Sequence, residues 1–148
     1  MSIQQLVNHG IKTFNVKDGI TEKTIVVVGV ARGGTSMIAG ILYHLGIPMG
    51  AATQPVYEDI RIATAFETKN QERINNVINE YNKNPVWAFK RPGAINYLKE
   101  IAATVRNPHF IFIFRDVFSV ANRNGISMGS NLVDAMQNAL DDYNKIVK

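Results

Sequence analysis

The stretch that decides the fold is Thr24-Ile25-Val26-Val27-Val28-Gly29-Val30-Ala31-Arg32-Gly33-Gly34-Thr35-Ser36. Its first part is a run of β-branched residues, the pattern of a strand that is buried on both faces. Its second part is rich in glycine, which permits a tight turn, and apolar residues at helical spacing follow it. The stretch therefore predicts a buried strand, a tight turn and a helix in direct succession.

Outward from this stretch, predicted strands and helices alternate along the chain. Two further strands are predicted at Val86–Phe89, where Trp87 should pack in the core, and at Phe110–Phe114. This order predicts right-handed crossovers and a parallel sheet with helices on its faces, which is a layered α/β fold. The predicted helices span residues 2–14, 35–45, 58–81, 94–105, 116–123 and the chain from Ser130 or Asn131 onward.

The first helix after the glycines has a predicted apolar stripe. We expect this stripe to face the core, because apolar residues three and four positions apart share one side of a helix. Gly46 and Pro48 should end the helix. The residues of the stripe are Met37, Ile38, Ile41, Leu42 and Leu45.

Length and composition indicate one soluble domain over residues 1–148. The chain has no cysteine, which excludes disulfides and thiolate metal sites. It has no apolar run near the roughly 20 residues of a membrane span and no signal-peptide pattern, so we predict a cytoplasmic protein without a membrane partner. The net charge of +4 suits an anionic ligand. Basic residues are not interleaved with aromatic ones, so no nucleic-acid partner is predicted.

The residues from Gly29 to Ser36 have the chemistry of a phosphate-binding loop. Glycines bring backbone N–H groups close to an anion, and the following helix adds the positive end of its dipole. A nucleoside-triphosphate loop would carry lysine at the position of Thr35, whereas here the cation comes earlier, at Arg32. This difference disfavours an ATPase or a kinase. The alternative is a tight turn between a strand and a helix that binds no ligand.

Each predicted strand leads to a cation, namely Arg32, Lys90 with Arg91, and Arg115. The carboxyl ends of parallel strands lie at one edge of a sheet, so these cations should share that edge. Arg123 would lie about two helical turns beyond Arg115. Such a group of like charges is favourable when an anion binds among them. The alternative is a solvated rim of ordinary surface charges.

Four segments resemble the motifs of the bacterial-type sulfotransferases, in the order in which that family has them. Val28–Ser36 resembles their 5′-phosphosulfate loop, and Phe112–Asp116 resembles the strand whose arginine contacts a 3′-phosphate. Tyr57–Asp59 resembles an acidic pair after the loop, and Trp87–Pro92 resembles a Trp-Gly-x-Lys-Asp-Pro segment. The resemblance implies a three-layer fold like that of P-loop NTPases, with a small parallel sheet flanked by helices.

The resemblance implies an activity and a donor site. The activity is transfer of a sulfuryl group from 3′-phosphoadenosine 5′-phosphosulfate (PAPS) to a hydroxyl or amine of a small-molecule or glycan acceptor, without a metal. Arg32 would contact the sulfuryl group, the residues that follow it would hold the 5′-phosphate, and Arg115 would bind the 3′-phosphate. The family has a serine eight residues after that arginine, a position that is Arg123 here, and the alternatives are that Ser119, Arg123 or neither takes its role. The donor-binding residues implied in this way are Arg32, Gly33, Gly34, Thr35, Ser36, Arg115, Ser119 and Arg123.

Sulfuryl transfer needs a base for the acceptor proton and a cation for the leaving phosphate. The catalytic candidates are Arg32, Glu58 and Lys90. Arg32 would contact the sulfuryl group, and the resemblance places Glu58 near the acceptor, where it could be the base. Lys90 is a candidate for orienting the leaving group. The structural alternatives are a helix cap for Glu58 and Asp59 and a solvated lysine for Lys90. Two histidines are weaker candidates, because His44 should lie far along its helix and His109 at the amino end of its strand. Asp116 is expected to cap a helix.

The sequence departs from the family at two places. Arg91 stands where the family has an acidic residue, which indicates either an altered acceptor or a site without the usual acceptor chemistry. The chain also lacks the family's C-terminal strand and cap region. In related folds that strand lies beside Thr24–Gly29, so we predict an unpaired side of this strand, covered by the N-terminal segment or by a second copy of the chain. Two alternatives stay open, a non-catalytic phosphate- or nucleotide-binding module and, less favoured, a nucleotide-dependent kinase.

Overall fold

The computed structural model describes residues 10–15 and 17–147. A parallel sheet of three strands lies at its centre: β1 (Lys23–Gly29), β2 (Val86–Lys90) and β3 (Pro108–Ile113). The strand order is β2-β1-β3, so β1 is central. In the register of the sheet, Lys90 lies opposite Val27 and Ile113 opposite Gly29, which brings the three carboxyl ends to one edge.

Helices flank this sheet and confirm the predicted three-layer α/β architecture. A short 3₁₀ helix, Pro92–Asn96, follows β2. No helix within the described residues has the length and apolar character to cross a membrane. In chain order the α-helices of this part of the chain are α1 (Thr35–His44), α2 (Ile60–Glu67), α3 (Gln71–Tyr81), α4 (Leu98–Thr104), α5 (Val117–Met128) and α6 (Leu132–Val147).

The β-branched run of β1 is apolar on both sides because helices cover both faces of the sheet. Val26 and Val28 pack into a core that includes Trp87, as expected, together with residues of α2, α3 and α4. Ile25 points to the other face, where it packs beside Ala39 of α1. Val26 and Val28 are fully buried, and each such side chain contributes about 1.5–3 kcal/mol.

The predicted helix over residues 58–81 is two helices, α2 and α3. Lys69 adopts a left-handed backbone conformation with φ of 51°, which ends the helical path. The Asn70 side chain then accepts a hydrogen bond from the Arg73 amide at 2.9 Å and caps α3. The predicted helix over 94–105 likewise begins as the 3₁₀ helix after Pro92 and becomes α4 at Leu98.

Two other helix predictions concern the ends of the chain. Of the predicted helix at 2–14, residues 10–14 are not helical, and residues 2–9 lie outside the described residues. At the other end, Asn131 accepts a hydrogen bond from the Val133 amide at 2.8 Å. This contact identifies Asn131 as the residue that caps α6.

The predicted buried stripe of α1 is wrong for three of its five residues. Met37, Ile41 and Leu45 are 64%, 49% and 71% exposed. The helix instead buries the small residues Ala39 and Gly40. At Gly40 an added Cβ would lie 3.1 Å from the ring of Tyr57, so close packing on this side selects a small residue. The larger side chains consequently occupy the outer side of α1.

The prediction of an unpaired side of β1 is also wrong, because β2 and β3 pair with it on both sides. The crossover through α4 carries the chain past β1 and places β3 on the side that we expected to be free. Coverage by residues 1–9 falls outside the described residues. Association of two chains through a sheet edge stays a prediction, and the edge strands of this sheet are β2 and β3.

Candidate functional site

The carboxyl edge of the sheet is dominated by the segment Gly29–Ser36, which we call the glycine loop. It leaves β1 and enters α1 through two left-handed residues, Arg32 with φ of 63° and Gly34 with φ of 105°. Glycine adopts this conformation without strain, which explains Gly34. The Gly33 amide donates to the Val30 carbonyl at 3.0 Å, and a Cβ at Gly33 would lie 2.9 Å from that oxygen. Both glycines are therefore required by the turn.

The amino end of α1 has free backbone donors. Within the described part of the chain, the backbone amides of Gly34, Thr35 and Ser36 donate no hydrogen bond. No side chain caps this end, and the first turn contains no acidic residue. Unpaired N–H groups and the helix dipole together make such an end favourable for an anion. Thr35 is buried and Ser36 is half-buried.

The structure divides the predicted strand-end cations into two kinds. Arg32, Arg115 and Arg123 are exposed, and none of them forms an ion pair among the described residues. Lys90 and Arg91 are instead neutralised by glutamates. An anion that binds at any of these three arginines would therefore not have to displace a protein carboxylate.

Lys90 and Arg91 share the carboxylate of Glu58. The Lys90 ammonium lies 2.6 Å from Glu58 Oε1, and Arg91 Nη1 lies 2.5 Å from Oε2. Arg91 also contacts Glu67 at 2.8 Å. The Lys90 side chain is only 2% exposed. Thr53 and Glu58 form an antiparallel bridge, which fixes the backbone that presents this carboxylate.

This pairing lowers the proton affinity of Glu58. Burial alone would raise the pKa of its carboxyl group, but hydrogen bonds and charges from Lys90 and Arg91 hold that pKa below its usual value. Both carboxylate oxygens are occupied. The structure thus brings together Glu58 and Lys90, the two residues that we predicted to share the chemistry, but as partners of each other.

Asp59 is a structural residue. Its carboxylate accepts hydrogen bonds from the Ala51 and Arg61 amides, each at 2.8 Å, and from the Tyr81 hydroxyl. Burial would raise the pKa of Asp59, but these three donors hold it below its usual value. Asp59 caps α2, as the structural alternative in the sequence predicted.

Structural contacts account for the remaining acid–base candidates. His44 is the last residue of α1, where its ring lies 3.5 Å from the Tyr57 hydroxyl. His109 is the second residue of β3 and contacts the Asn107 carbonyl at 2.8 Å, at the amino edge of the sheet. Asp116 caps α5 as predicted, because its side chain accepts a hydrogen bond from the Ser119 amide at 2.7 Å. That bond also lowers the pKa of Asp116.

Ser119 and Arg123 both lie on α5, one turn apart. The helix begins directly after Arg115 and Asp116, so these side chains follow the carboxyl end of β3. Ser119 is half-buried and Arg123 is exposed. Of these two candidates, Arg123 adds a charge to the edge and Ser119 adds a hydroxyl.

A residue that the sequence did not indicate holds Arg115 in place. The Tyr143 hydroxyl of α6 accepts a hydrogen bond from the Arg115 amide and donates one to the Arg115 carbonyl, both at 2.9 Å. Its ring also packs against Phe114 at a centroid distance of 5.2 Å. Nothing local in the sequence marks this role for Tyr143, because the contact is with a residue 28 positions away.

Tyr143→Phe should lower the free energy of unfolding by about 0.5–1.5 kcal/mol, because it removes both bonds while leaving the ring in place. Denaturant unfolding of the variant and the parent measures this loss. Tyr43→Phe is the matched control, because Tyr43 is exposed and its hydroxyl has no hydrogen bond among the described residues. An equal loss in the two variants would contradict the anchoring role of Tyr143.

Metal ligands are not grouped at this edge. The described residues contain no cluster of three or more histidine, cysteine, aspartate or glutamate side chains arranged to hold an ion. The polar groups that follow the strand ends there are backbone amides, guanidinium groups and hydroxyls. These groups bind oxyanions directly.

The comparisons with known proteins supply no family. No protein-family model matches the chain, and no curated protein matches it. Its function is therefore inferred from the residues of the site and their geometry.

Proposed function

We propose that the chain binds PAPS at the glycine loop and transfers its sulfuryl group to a hydroxyl or amine acceptor. The observation that carries this proposal is the set of unpaired amides at Gly34, Thr35 and Ser36, at the head of α1 and at the carboxyl edge of the central strand. Bound PAPS would supply an activated sulfuryl group and a phosphate leaving group. The proposal also draws on the motif resemblance of the glycine loop.

The 5′ end of the donor fits the glycine loop by charge and by hydrogen bonding. Three amides and the α1 dipole favour an oxyanion, and Arg32 carries a full positive charge within the same loop. The absence of an acidic residue from the first turn leaves this field unopposed. A nucleoside triphosphate is less favoured, because the glycine loop has Thr35 where a triphosphate-binding lysine would stand.

The 3′ end of the donor fits the second group of donors. Arg115 is exposed and its backbone is anchored by Tyr143, while Ser119 and Arg123 follow on α5. A guanidinium group binds a phosphate through two parallel hydrogen bonds. Two separate cationic groups at one edge suit a ligand with phosphates at two positions of its ribose.

The transfer step requires more of the chain than binding does. A bond forms between the acceptor oxygen or nitrogen and sulfur while the bond from sulfur to the bridging phosphate oxygen breaks, and the acceptor loses a proton. Glu58 can accept that proton only after it leaves Lys90 and Arg91. Lys90, once released, would be free to stabilise the leaving phosphate.

The same ion pairs favour the alternative function, a phosphate- or nucleotide-binding module without turnover. Glu58 has both oxygens occupied and a lowered pKa, which makes it a weak base in this arrangement. If the pairs persist when the donor binds, the chain holds the nucleotide and performs no chemistry. Binding and transfer must therefore be measured separately.

Arg32→Ala and Arg115→Ala should each weaken binding of 3′-phosphoadenosine 5′-phosphate by roughly 10- to 100-fold, since a hydrogen bond to a charged group contributes about 1.5–3 kcal/mol. Calorimetric titration measures both affinities. Lys23→Ala is the matched control, because Lys23 begins β1 at the opposite edge of the sheet and forms no ion pair among the described residues. It should bind like the parent.

Several outcomes would count against the proposed function. Undetectable binding by the parent chain, or equal losses in all three variants, would remove the two-ended donor site. Binding together with label transfer from ³⁵S-PAPS to an acceptor panel supports the enzyme, whereas binding without transfer leaves the module. If the chain binds ATP with magnesium more tightly than it binds 3′-phosphoadenosine 5′-phosphate (the bisphosphate), the kinase alternative is favoured.

A further inference from the structure

An open cleft runs along the outer side of α1, with a volume of about 470 Å³. It starts at Ser36, the last residue of the glycine loop, and extends past Gly40 to Leu45, with Tyr57 on its other side. We call it the α1 cleft. Ser36 belongs to both features, so the α1 cleft and the proposed donor site adjoin at this residue.

Helical spacing produces the walls of the α1 cleft. Met37, Ile41 and Leu45 recur every four residues and lie on one side of the helix, about 13 Å from Ser36 to the far end at 1.5 Å per residue. Gly40 forms the floor, where an added Cβ would meet the Tyr57 ring at 3.1 Å. These large apolar side chains face the solvent, which is unfavourable unless a ligand or partner covers them.

The lining selects an uncharged occupant. No aspartate, glutamate, lysine or arginine is among the described residues that line the α1 cleft. Its polar groups are the hydroxyls of Ser36 and Tyr57 and the imidazole of His44. A sugar would bring hydroxyls against Met37 and Ile41, where they would lose hydration without gaining partners. An apolar body with a single polar group loses nothing in the same place.

We infer that the α1 cleft holds the acceptor, and that this acceptor is an uncharged aromatic or aliphatic alcohol and not a glycan. The inference rests on the proposed function for its polar end, where the acceptor hydroxyl lies at Ser36 beside the glycine loop. The apolar body lies along Met37, Ile41 and Leu45. The volume of the α1 cleft is in the range of 300–1,000 Å³ that small-molecule sites have.

The probe for this site is 2-naphthol, whose binding to the full chain is followed by fluorescence titration. N-acetylglucosamine is the comparison, and its binding is followed by its ability to displace the naphthol. Ile41→Glu should weaken naphthol binding at least tenfold, because it puts a charge in the middle of the apolar wall. Ile126→Glu, at an 81% exposed position on α5 outside the α1 cleft, is the matched control and should bind like the parent. The sugar should not bind. Bisphosphate binding, measured in parallel, should be unchanged in both variants.

The naphthol titration tests the acceptor inference, and the titration with 3′-phosphoadenosine 5′-phosphate tests the proposed function. If naphthol does not bind the parent chain, if it binds the Ile41→Glu variant equally well, or if the sugar binds better, the acceptor inference is overturned. If naphthol binds as expected and the bisphosphate does not bind, the proposed function fails while the α1 cleft remains an apolar ligand site. Should Ile41→Glu not fold, Leu45→Glu at its 71% exposed position applies the same test.

Discussion

Glu58→Ala should lower the free energy of unfolding by about 3–5 kcal/mol, the usual effect of leaving one partner of a buried ion pair behind. The cause is Lys90, which is only 2% exposed and has Glu58 as its counterion at 2.6 Å. Arg91, which is 28% exposed, would lose one carboxylate but keep Glu67. Urea unfolding of the variant and the parent measures the difference.

Two comparison variants isolate the buried charge as the cause. Glu80→Ala removes a partner of Arg61 at 3.2 Å, but both side chains of that pair are more than 40% exposed, so the loss should be about 0–1 kcal/mol. The double variant Glu58→Ala with Lys90→Met should recover most of the stability, because the buried Lys90 charge that loses its partner is removed as well. A single-variant loss no larger than that of Glu80→Ala would contradict this account.

The contribution of Glu58 should also depend on pH with a definite sign. Its pKa is lower in the folded protein than in the unfolded chain, so the stabilisation is complete above the ordinary glutamate pKa of about 4.3. It is lost as pH falls through the lower folded value. The difference between the parent and Glu58→Ala should therefore shrink in acid, and a difference that grows below pH 4 would contradict the lowered pKa.

Local patterns were sufficient to predict the central part of the fold. The β-branched run of β1, the glycines after it and the helix from Thr35 are each determined by neighbouring residues, so their order and type follow from the sequence. The strand-end cations were predictable for a similar reason, since parallel strands present their carboxyl ends at one edge. The capping role of Asp116 likewise depends only on a residue three positions later.

Contacts between distant segments decided what the sequence did not reveal. Glu58 and Lys90 are 32 positions apart, and nothing in either segment shows that they neutralise each other. Which side of α1 is exposed depends on its contacts with Tyr57 and β2. These contacts are close and require the small residues Gly40 and Ala39, so the larger side chains of α1 are left exposed. The division between α2 and α3, in contrast, has a local signal in the sequence. Asn70, followed by Glu72, has the pattern of a helix start.

Asp59 illustrates how one acidic pair divides into two roles. Its neighbour Glu58 pairs with the charged side chains of Lys90 and Arg91 at the carboxyl edge, whereas Asp59 accepts hydrogen bonds from Ala51, Arg61 and Tyr81. The resemblance to an acidic motif could not distinguish them, because both residues are compatible with a helix start. Burial makes the distinction, and it also makes the surroundings of Asp59 sensitive to small increases in volume.

Gly50→Ala should consequently lower the free energy of unfolding by about 2–5 kcal/mol. Gly50 has a φ of 62°, which costs an alanine about 1–2 kcal/mol, and overpacking adds about 1–3 kcal/mol. The overpacking arises because an added Cβ would overlap the Tyr81 hydroxyl and the Asp59 carboxylate. Thermal or denaturant unfolding measures the loss, and a reduced population of the folded state at 37 °C is expected.

Gly46→Ala separates the two causes, since Gly46 has a comparable φ of 81° and no atom lies within 4 Å of its added Cβ. It should show only the backbone penalty of about 1–2 kcal/mol. The excess loss in Gly50→Ala then measures the steric overlap with Tyr81 and Asp59. Adding Tyr81→Phe to Gly50→Ala removes the overlapping hydroxyl, so part of that excess should disappear. Equal losses at the two glycines would mean that Asp59 and Tyr81 move to accommodate the extra methyl group. The hydrogen bonds of Asp59 would then not form the rigid support of α2 that they indicate.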